Sequence, residues 1–363
     1  MKPLSVSIYR YSLPFIRPVP VGSRSIATRE GLVLCLQHGP FRGYGETAPL
    51  PGLHEECLDD AFGELGAVLR HADLQTGSLS ALTVSEQLPD NLLPSVRTGI
   101  EMALLNLQAA WTGSFIPLPG IPAPADRLPL NALLFGDTPT VLQQAAALYR
   151  RGYRTFKLKV QARNADTALQ QIRELDRSFG NDVLLRLDSN RSFDRNEARE
   201  FLSSLPADRI AYIEEPLSDP SGIPELVRRT AIRCALDETL WQAPHVRHEL
   251  PDSCLGAYIL KPARTGGISA TTRLALEASS RGSAAVISSV YESGISIGFY
   301  ARLASLLSRT PTACGIDTFR QFRQDLPLTP ITSESGALDV ETVWQRSRTP
   351  DESRLKQLSA WTL

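Results

Sequence analysis

Between residues 129 and 316 the chain repeats one local pattern, a short apolar segment followed by a longer amphipathic one. Eight apolar segments stand out, at 129–134, 155–160, 183–188, 210–214, 234–237, 257–261, 284–288 and 312–316. Strand residues alternate between two faces, whereas helical residues return to one face every three or four positions, so this rhythm predicts a βα series. Parallel strands joined by helical crossovers bury both faces of their sheet, and eight in a row point to an α/β barrel. The punctuation agrees. Thr138 and Pro139 read as an N-cap and first helical position, and Gly152, Gly180 and Gly282 stand where helices end in a left-handed residue. An open doubly wound sheet shares the rhythm, but no Gly-x-Gly-x-x-Gly follows the first strand.

Outside this series the pattern changes. The N-terminal part mixes β-like segments at 4–9 and 31–36 with helical patterns at 57–71 and 95–111, an α+β arrangement. Pro117, Pro119, Pro122, Pro124 and Pro129 fall within thirteen residues and read as a domain boundary. The expected division is an α+β domain over 1–120, a barrel over 121–325, and a C-terminal segment, 326–363, that returns to the first domain. A chain of 363 residues is long enough for both cores.

Charge and composition narrow the partners. A net charge of -1 without a basic run argues against nucleic acid or an anionic membrane surface. Residues 1–10 lack a signal-peptide core, and no apolar run approaches the roughly 20 residues that span a bilayer. The expectation is a soluble, cytoplasmic protein acting on a small molecule. Cys35, Cys57, Cys234, Cys254 and Cys314 are scattered without a Cys-x-x-Cys pair, and read as reduced, buried thiols.

In a βα barrel the functional groups stand at the C-terminal ends of the strands. Here those ends carry Lys157 and Lys159, then Asp188, Glu214, Asp237 and Lys261. The last four follow one another at intervals of 26, 23 and 24 residues, about one βα unit each. Lys157 and Lys159 share a strand face, and repulsion between two ammonium groups favours a neutral amine that can act as a base. Three carboxylates around one mouth repel unless a cation lies between them. Oxygen ligands of this kind suit Mg²⁺, with Mn²⁺ as the substitute ion. A plainer reading exists for each alone: Lys-x-Lys as a solvated strand face, Asp188 as a turn residue, Glu214 and Glu215 as a surface pair. Taken together, the set predicts proton abstraction beside a metal-bound carboxylate, with lysines on opposite faces.

Other motifs carry less. His245 and His248 read as a solvated helix face, and Gly266-Gly267 as an anion cradle or a tight loop. Ser288 and Ser289 at the seventh strand end, and Gly315 at the eighth, either line a substrate cavity or, for the serines, cap the next helix. Residues 17–24 are a candidate lid or a basic surface turn. No Gly-x-Ser-x-Gly elbow or Walker loop is present.

With these residues in place, the chain resembles the enolase superfamily, in its muconate-lactonizing-type branch with Lys-x-Lys on the second barrel strand. Gly43-Tyr44-Gly45-Glu46-Thr47-Ala48-Pro49-Leu50-Pro51-Gly52 resembles that branch's capping segment, and Pro94-Ser95-Val96-Arg97-Thr98-Gly99-Ile100-Glu101 its capping helix. The resemblance spans nearly the whole chain and implies a modified TIM-type (β/α)7β barrel under an α+β capping domain. Three stretches, Arg186-Leu187-Asp188-Ser189-Asn190-Arg191-Ser192-Phe193, Ile287-Ser288-Ser289-Val290-Tyr291-Glu292-Ser293 and Gly315-Ile316-Asp317-Thr318, are similar to the o-succinylbenzoate synthase family.

That likeness implies an Mg²⁺-dependent lyase dehydrating a small carboxylate in menaquinone biosynthesis. Asp188, Glu214 and Asp237 would hold the metal and Lys159 would move the proton. Lys157 would be its electrostatic neighbour, Lys261 would balance charge from the far face, and Ser288 and Gly315 would hold the succinyl side chain. Dipeptide epimerases and N-succinylamino acid racemases share the lysines and ligands. Epimerases typically carry Asp-x-Asp at the eighth strand, where this chain has Gly315-Ile316-Asp317, only one of the two acids. The mandelate-racemase branch needs a His-Asp dyad, and no histidine follows His248. A non-catalytic metal-binding module is the alternative of another class.

Overall fold

The computed structural model describes residues 4–22, 24–71, 74, 79–115, 118, 124–308 and 310–363. Residues 117 and 119–123 of the proline-rich connector lie outside the described residues, as does residue 116 before it. The chain opens with three antiparallel strands, β1 (Leu4–Val21), β2 (Arg24–His38) and β3 (Phe41–Thr47). The first two pair from Leu4↔His38 to Val21↔Arg24, well beyond the segments expected at 4–9 and 31–36. The outer part of this hairpin is largely exposed, so backbone pairing holds it without the apolar alternation that reveals a strand in sequence. Nearer the core, Val6, Ile8 and Leu34 are fully buried. The helix Pro94–Thr112 lies directly on β3. A Cβ on Gly45 would stand 1.9 Å from the carbonyl oxygen of Gly99, so only glycine permits this backbone-to-backbone approach.

The remaining strands are β4 (Arg127–Pro129), β5 (Asn131–Leu134), β6 (Thr155–Lys159), β7 (Leu184–Asp188), β8 (Ile210–Glu214), β9 (Cys234–Leu236), β10 (Leu255–Leu260), β11 (Ala284–Ile287), β12 (Ala337–Asp339) and β13 (Lys356–Thr362). Strands β5 to β11 form a parallel seven-stranded sheet in sequence order. The eighth strand expected at 312–316 is reduced to two residues. Cys314 bridges to Leu130 and Gly315 to Ser288, which links the two edges and closes the ring. The Asn131 N–H donates to the Cys314 carbonyl at 3.0 Å, and the Gly315 N–H to the Ile287 carbonyl at 2.9 Å. The ladder is short because Pro311 has no N–H to give and the chain turns into a 3-10 helix at Asp317–Gln321. β12 pairs with β4, and β13 pairs with β1 to complete a sheet ordered β13-β1-β2-β3.

Alternation along the barrel strands decides what enters the barrel. In β6, Phe156 and Leu158 are buried, and the Phe156 ring packs edge-on against Phe179 of the helix Ala165–Phe179. Lys157 and Lys159 therefore point the other way, into the barrel. Tyr212, Ala235, Ala257, Ile259 and Val286 form a small apolar cluster of their own. Among the described residues, no helix is long and apolar enough to cross a membrane.

Two sequence expectations need correction. The N-cap of the helix Thr138–Arg150 is Asp137, whose Oδ1 accepts the Thr140 amide at 3.0 Å, while Thr138 is already helical. Cys57 is exposed, unlike the four other free thiols. Gly152, Gly180 and Gly282 do take positive φ, at 89°, 47° and 68°.

Candidate active site

Register brings the charged residues together. Lys159 pairs with Asp188 across β6 and β7, Asp188 with Glu214 across β7 and β8, and Glu214 with Ala235 across β8 and β9. Asp237 follows β9, and Lys261 follows β10. Lys157 Nζ lies 2.7 Å from Glu214 Oε2 and 2.9 Å from Asp188 Oδ2. Lys261 pairs with Asp237, its Nζ 5.6 Å from the centre of the Trp241 ring. Lys159 is more exposed, and donates to Asn190 Oδ1 at 2.8 Å. A cavity of about 430 Å³ is lined by Lys157, Lys159, Asp188, Glu214, Lys261, Ser288 and Gly315. Asp237 is buried outside that lining, behind Lys261.

The acids hold Lys157 in its charged form. Burial pulls its pKa down, but Asp188, Glu214 and Asp237 outweigh burial and hold it well above the ordinary lysine value. The carboxylates divide. Burial raises Asp188, yet Lys157 and Lys159 more than compensate and keep it ionised, whereas Glu214 is raised by burial and by the Asp188 charge. Asp237 is raised further, first by burial, although Lys261 opposes this. Among the described residues no three His, Cys, Asp or Glu side chains form a ready-made ligand cluster, and ammonium groups lie against the acids. The trio nonetheless fits a hard divalent cation. Glu214 Oε1 and Asp237 Oδ1 are buried oxygens without a hydrogen-bond partner, and a donor set of carboxylate oxygens is what Mg²⁺ prefers.

Several supporting residues had no assigned part in the sequence reading. Glu215 is buried, not a surface acid: Oε1 accepts the amides of Asp237 and Thr239, both at 2.8 Å, and Oε2 pairs with Arg191 at 3.0 Å. Asn190, Arg191, Glu215 and Tyr291 all have positive φ, between 43° and 63°, strain concentrated at the strand ends around the mouth. Arg186 is buried, with Nη1 donating to Asn131 Oδ1 at 2.8 Å and to the Ala313 carbonyl at 2.6 Å. Buried arginine within a strand pattern was the available signal.

The weaker motifs resolve as follows. Ser288 Oγ donates to the Gly315 carbonyl at 3.3 Å, and a Cβ at Gly315 would come within 2.6 Å of that Oγ. Ser289 Oγ pairs with Thr318 Oγ1 at 2.7 Å. His245 and His248 are exposed on a short helical segment. The helix start after Gly266-Gly267 is occupied from within the chain, its Ile268 and Ser269 amides donating to the carboxyl group of Glu101. None of the described residues within 17–24 lines the cavity. Phe15 of the N-terminal sheet packs edge-on at 5.5 Å against Tyr291, which lines the cavity.

Comparison with known proteins places this geometry. Residues 140–344, more than half the chain, match the family described as enolase C-terminal domain-like. The chain belongs to the enolase superfamily. Residues 4–107 of this enolase-superfamily enzyme match the family described as MenC, N-terminal domain. An o-succinylbenzoate synthase of Yersinia pseudotuberculosis serotype O:3 (strain YPIII) is 30% identical over 354 residues, covering 94% of this chain and 99% of the relative. Among solved structures, an enolase-superfamily member from Roseovarius nubinhibens ISM complexed with magnesium superposes with a TM-score of 0.79 at 19% identity, covering all of both chains. A substrate-liganded L-Ala-D/L-Glu epimerase from Bacillus subtilis gives 0.78 at 21% identity, covering 93% of this chain and 96% of its own. Within the superfamily this enzyme is a lyase, similar to o-succinylbenzoate synthases.

Proposed function

We propose that the enzyme eliminates water from 2-succinyl-6-hydroxy-2,4-cyclohexadiene-1-carboxylate to give o-succinylbenzoate. The observation that carries this reading is Gly315 packed against Ser288 in the lysine-lined cavity, where an acidic side chain would collide with the serine. The likeness to o-succinylbenzoate synthases supports it over 94% of the chain.

Each polar group then has a role. Asp188, Glu214 and Asp237 hold Mg²⁺, which supplies Lewis-acid stabilisation to the substrate carboxylate. Lys159 takes the α-proton and returns it to the departing hydroxyl on the same face, for which it is the least encumbered of the three lysines. Lys157 spans Asp188 and Glu214, fixing their orientation and adding positive charge. Lys261, on the other side of the acids, balances the negative charge that develops on the carboxylate. Asn190 orients the Lys159 ammonium.

The test is a direct assay on the cyclohexadiene substrate with and without EDTA. Turnover lost on chelation and restored by Mg²⁺ is the expected result. An epimerase acting through the same lysines would instead place solvent deuterium on the α-carbon of an Ala-Glu dipeptide. A non-catalytic metal-binding module would gain thermal stability from Mg²⁺ and turn over neither substrate.

A further inference from the structure

The proposed substrate carries a second carboxylate at the end of its succinyl chain, and besides the lysines the cavity is lined by two arginines, Arg151 and Arg320. Counting around the ring from β5, Glu214 ends the fourth strand and Gly315 stands in the eighth position, across the ring from it. Asp317, Thr318 and Arg320, on the 3-10 helix that follows, all line the cavity.

Arg320 is held by one edge only. Its Nη1 donates to Asp317 Oδ2 and to the Tyr153 hydroxyl, both at 3.2 Å, and the buried Tyr153 hydroxyl donates to Asp317 Oδ1 at 3.0 Å. Nε and Nη2 have no acceptor among the described residues. A guanidinium presents its donors as a planar fork that matches a carboxylate, so the unpaired edge of an arginine that lines a cavity is suited to receive one. Of the other cations lining the cavity, Lys157 and Lys261 pair with the acids, Lys159 donates to Asn190, and Arg151 acts on Asp317 in the same sense as Arg320. Arg320 also neutralises Asp317, the acid that would otherwise repel a carboxylate and attract an ammonium group at this end.

We propose that Arg320, steadied by Asp317 and Tyr153, binds the distal carboxylate of the substrate and so selects dicarboxylates over ligands with a neutral or cationic tail. This rests on the synthase reading above. Ser288 and Gly315 then shape the passage that the side chain crosses, and Arg320 holds its far end.

The test compares binding of o-succinylbenzoate and o-butyrylbenzoate, which lacks the distal carboxylate, to the Mg²⁺-loaded enzyme by calorimetry. The wild type should prefer the dicarboxylate by about 10–100-fold, the range for a hydrogen bond to a charged group. Arg320→Met should lose that preference while keeping its affinity for o-butyrylbenzoate, which also reports an intact fold, and should raise KM far more than it lowers kcat. Arg320→Lys should recover part of the preference, and Asp317→Asn should retain it. A full preference in Arg320→Met would overturn the subsite and leave the synthase reading standing. Failure of the wild type to bind either ligand, with no turnover, would overturn both.

Discussion

Glu101 Oε2 accepts the backbone amide of Ile268 at 2.5 Å, so a carboxylate from the N-terminal helix Pro94–Thr112 caps the barrel helix Gly267–Ser280. The same oxygen accepts the Ser269 amide at 3.0 Å. Glu46 on β3 makes the matching contact at the helix Gly294–Leu307, accepting the Ser293 and Ser296 hydroxyls at 2.8 and 2.7 Å and their amides at 2.9 and 3.2 Å. Helix N-termini leave amides unpaired and carry partial positive charge, so two buried acids fasten the capping layer to the barrel.

Burial raises the Glu101 pKa to about 7 despite the two amides and Arg97. The folded state therefore holds a proton that the unfolded chain releases near 4.5. Stability from this group is greatest below that value and declines as pH rises to about 7, by on the order of 3 kcal/mol. Denaturant unfolding at pH 5 and 7.5 should show this decline in the wild type and a shallower one in Glu101→Gln. Glu101→Ala should cost about 1–3 kcal/mol at pH 5 by leaving two buried amides unpaired.

Lys159→Ala should lower kcat by at least about 10²–10⁴-fold, the scale of general acid–base catalysis, with Mg²⁺ affinity nearly unchanged. Formation of the aromatic product followed by absorbance, with Mg²⁺ titrated calorimetrically, checks both halves. Lys157→Ala should weaken both, because Lys157 contacts two of the proposed ligands.

Mg²⁺ should raise the melting temperature in a concentration-dependent way, since a ligand of the folded state alone stabilises by mass action. Asp188→Asn, Glu214→Gln and Asp237→Asn should each blunt that rise. A melting curve indifferent to Mg²⁺ up to millimolar concentration would count against the trio as ligands.

Gly315→Ala should raise KM roughly tenfold through the contact of its Cβ with Ser288 Oγ, a cost of about 1.4 kcal/mol that overpacking readily imposes. Ser288→Ala in the same chain should recover part of the loss, because it removes the atom that is struck. Steady-state kinetics on the two single variants and the double variant measure this coupling.

Much of the architecture was legible because strands and helices announce themselves over a few residues. Phe156 and Leu158 alternating with Lys157 and Lys159 already separate a buried face from a polar one. The spacing of Asp188, Glu214, Asp237 and Lys261 reads as successive strand ends, and register does bring Asp188 and Glu214 side by side. The outer part of the β1–β2 hairpin leaves little period in the sequence because most of its side chains are exposed: among the described residues between Phe15 and Arg29, only Val19 and Val21 are buried. The eighth strand was read long because its apolar run outlasts its ladder, which ends where Asp317 begins a 3-10 helix.

The sequence by itself determined the kind of fold and the order of the charged residues, since side-chain direction along a strand depends only on near neighbours. Tertiary structure alone decided which charges meet. Lys157 reaches Glu214 across 57 residues, Glu101 reaches Ile268 across 167 and Glu46 reaches Ser293 across 247. No local period encodes such pairs. Only the closed ring sets Lys157 between two acids and leaves Lys159 with a neutral partner, Asn190, whereas the Arg320–Asp317 pair, three residues apart, is local.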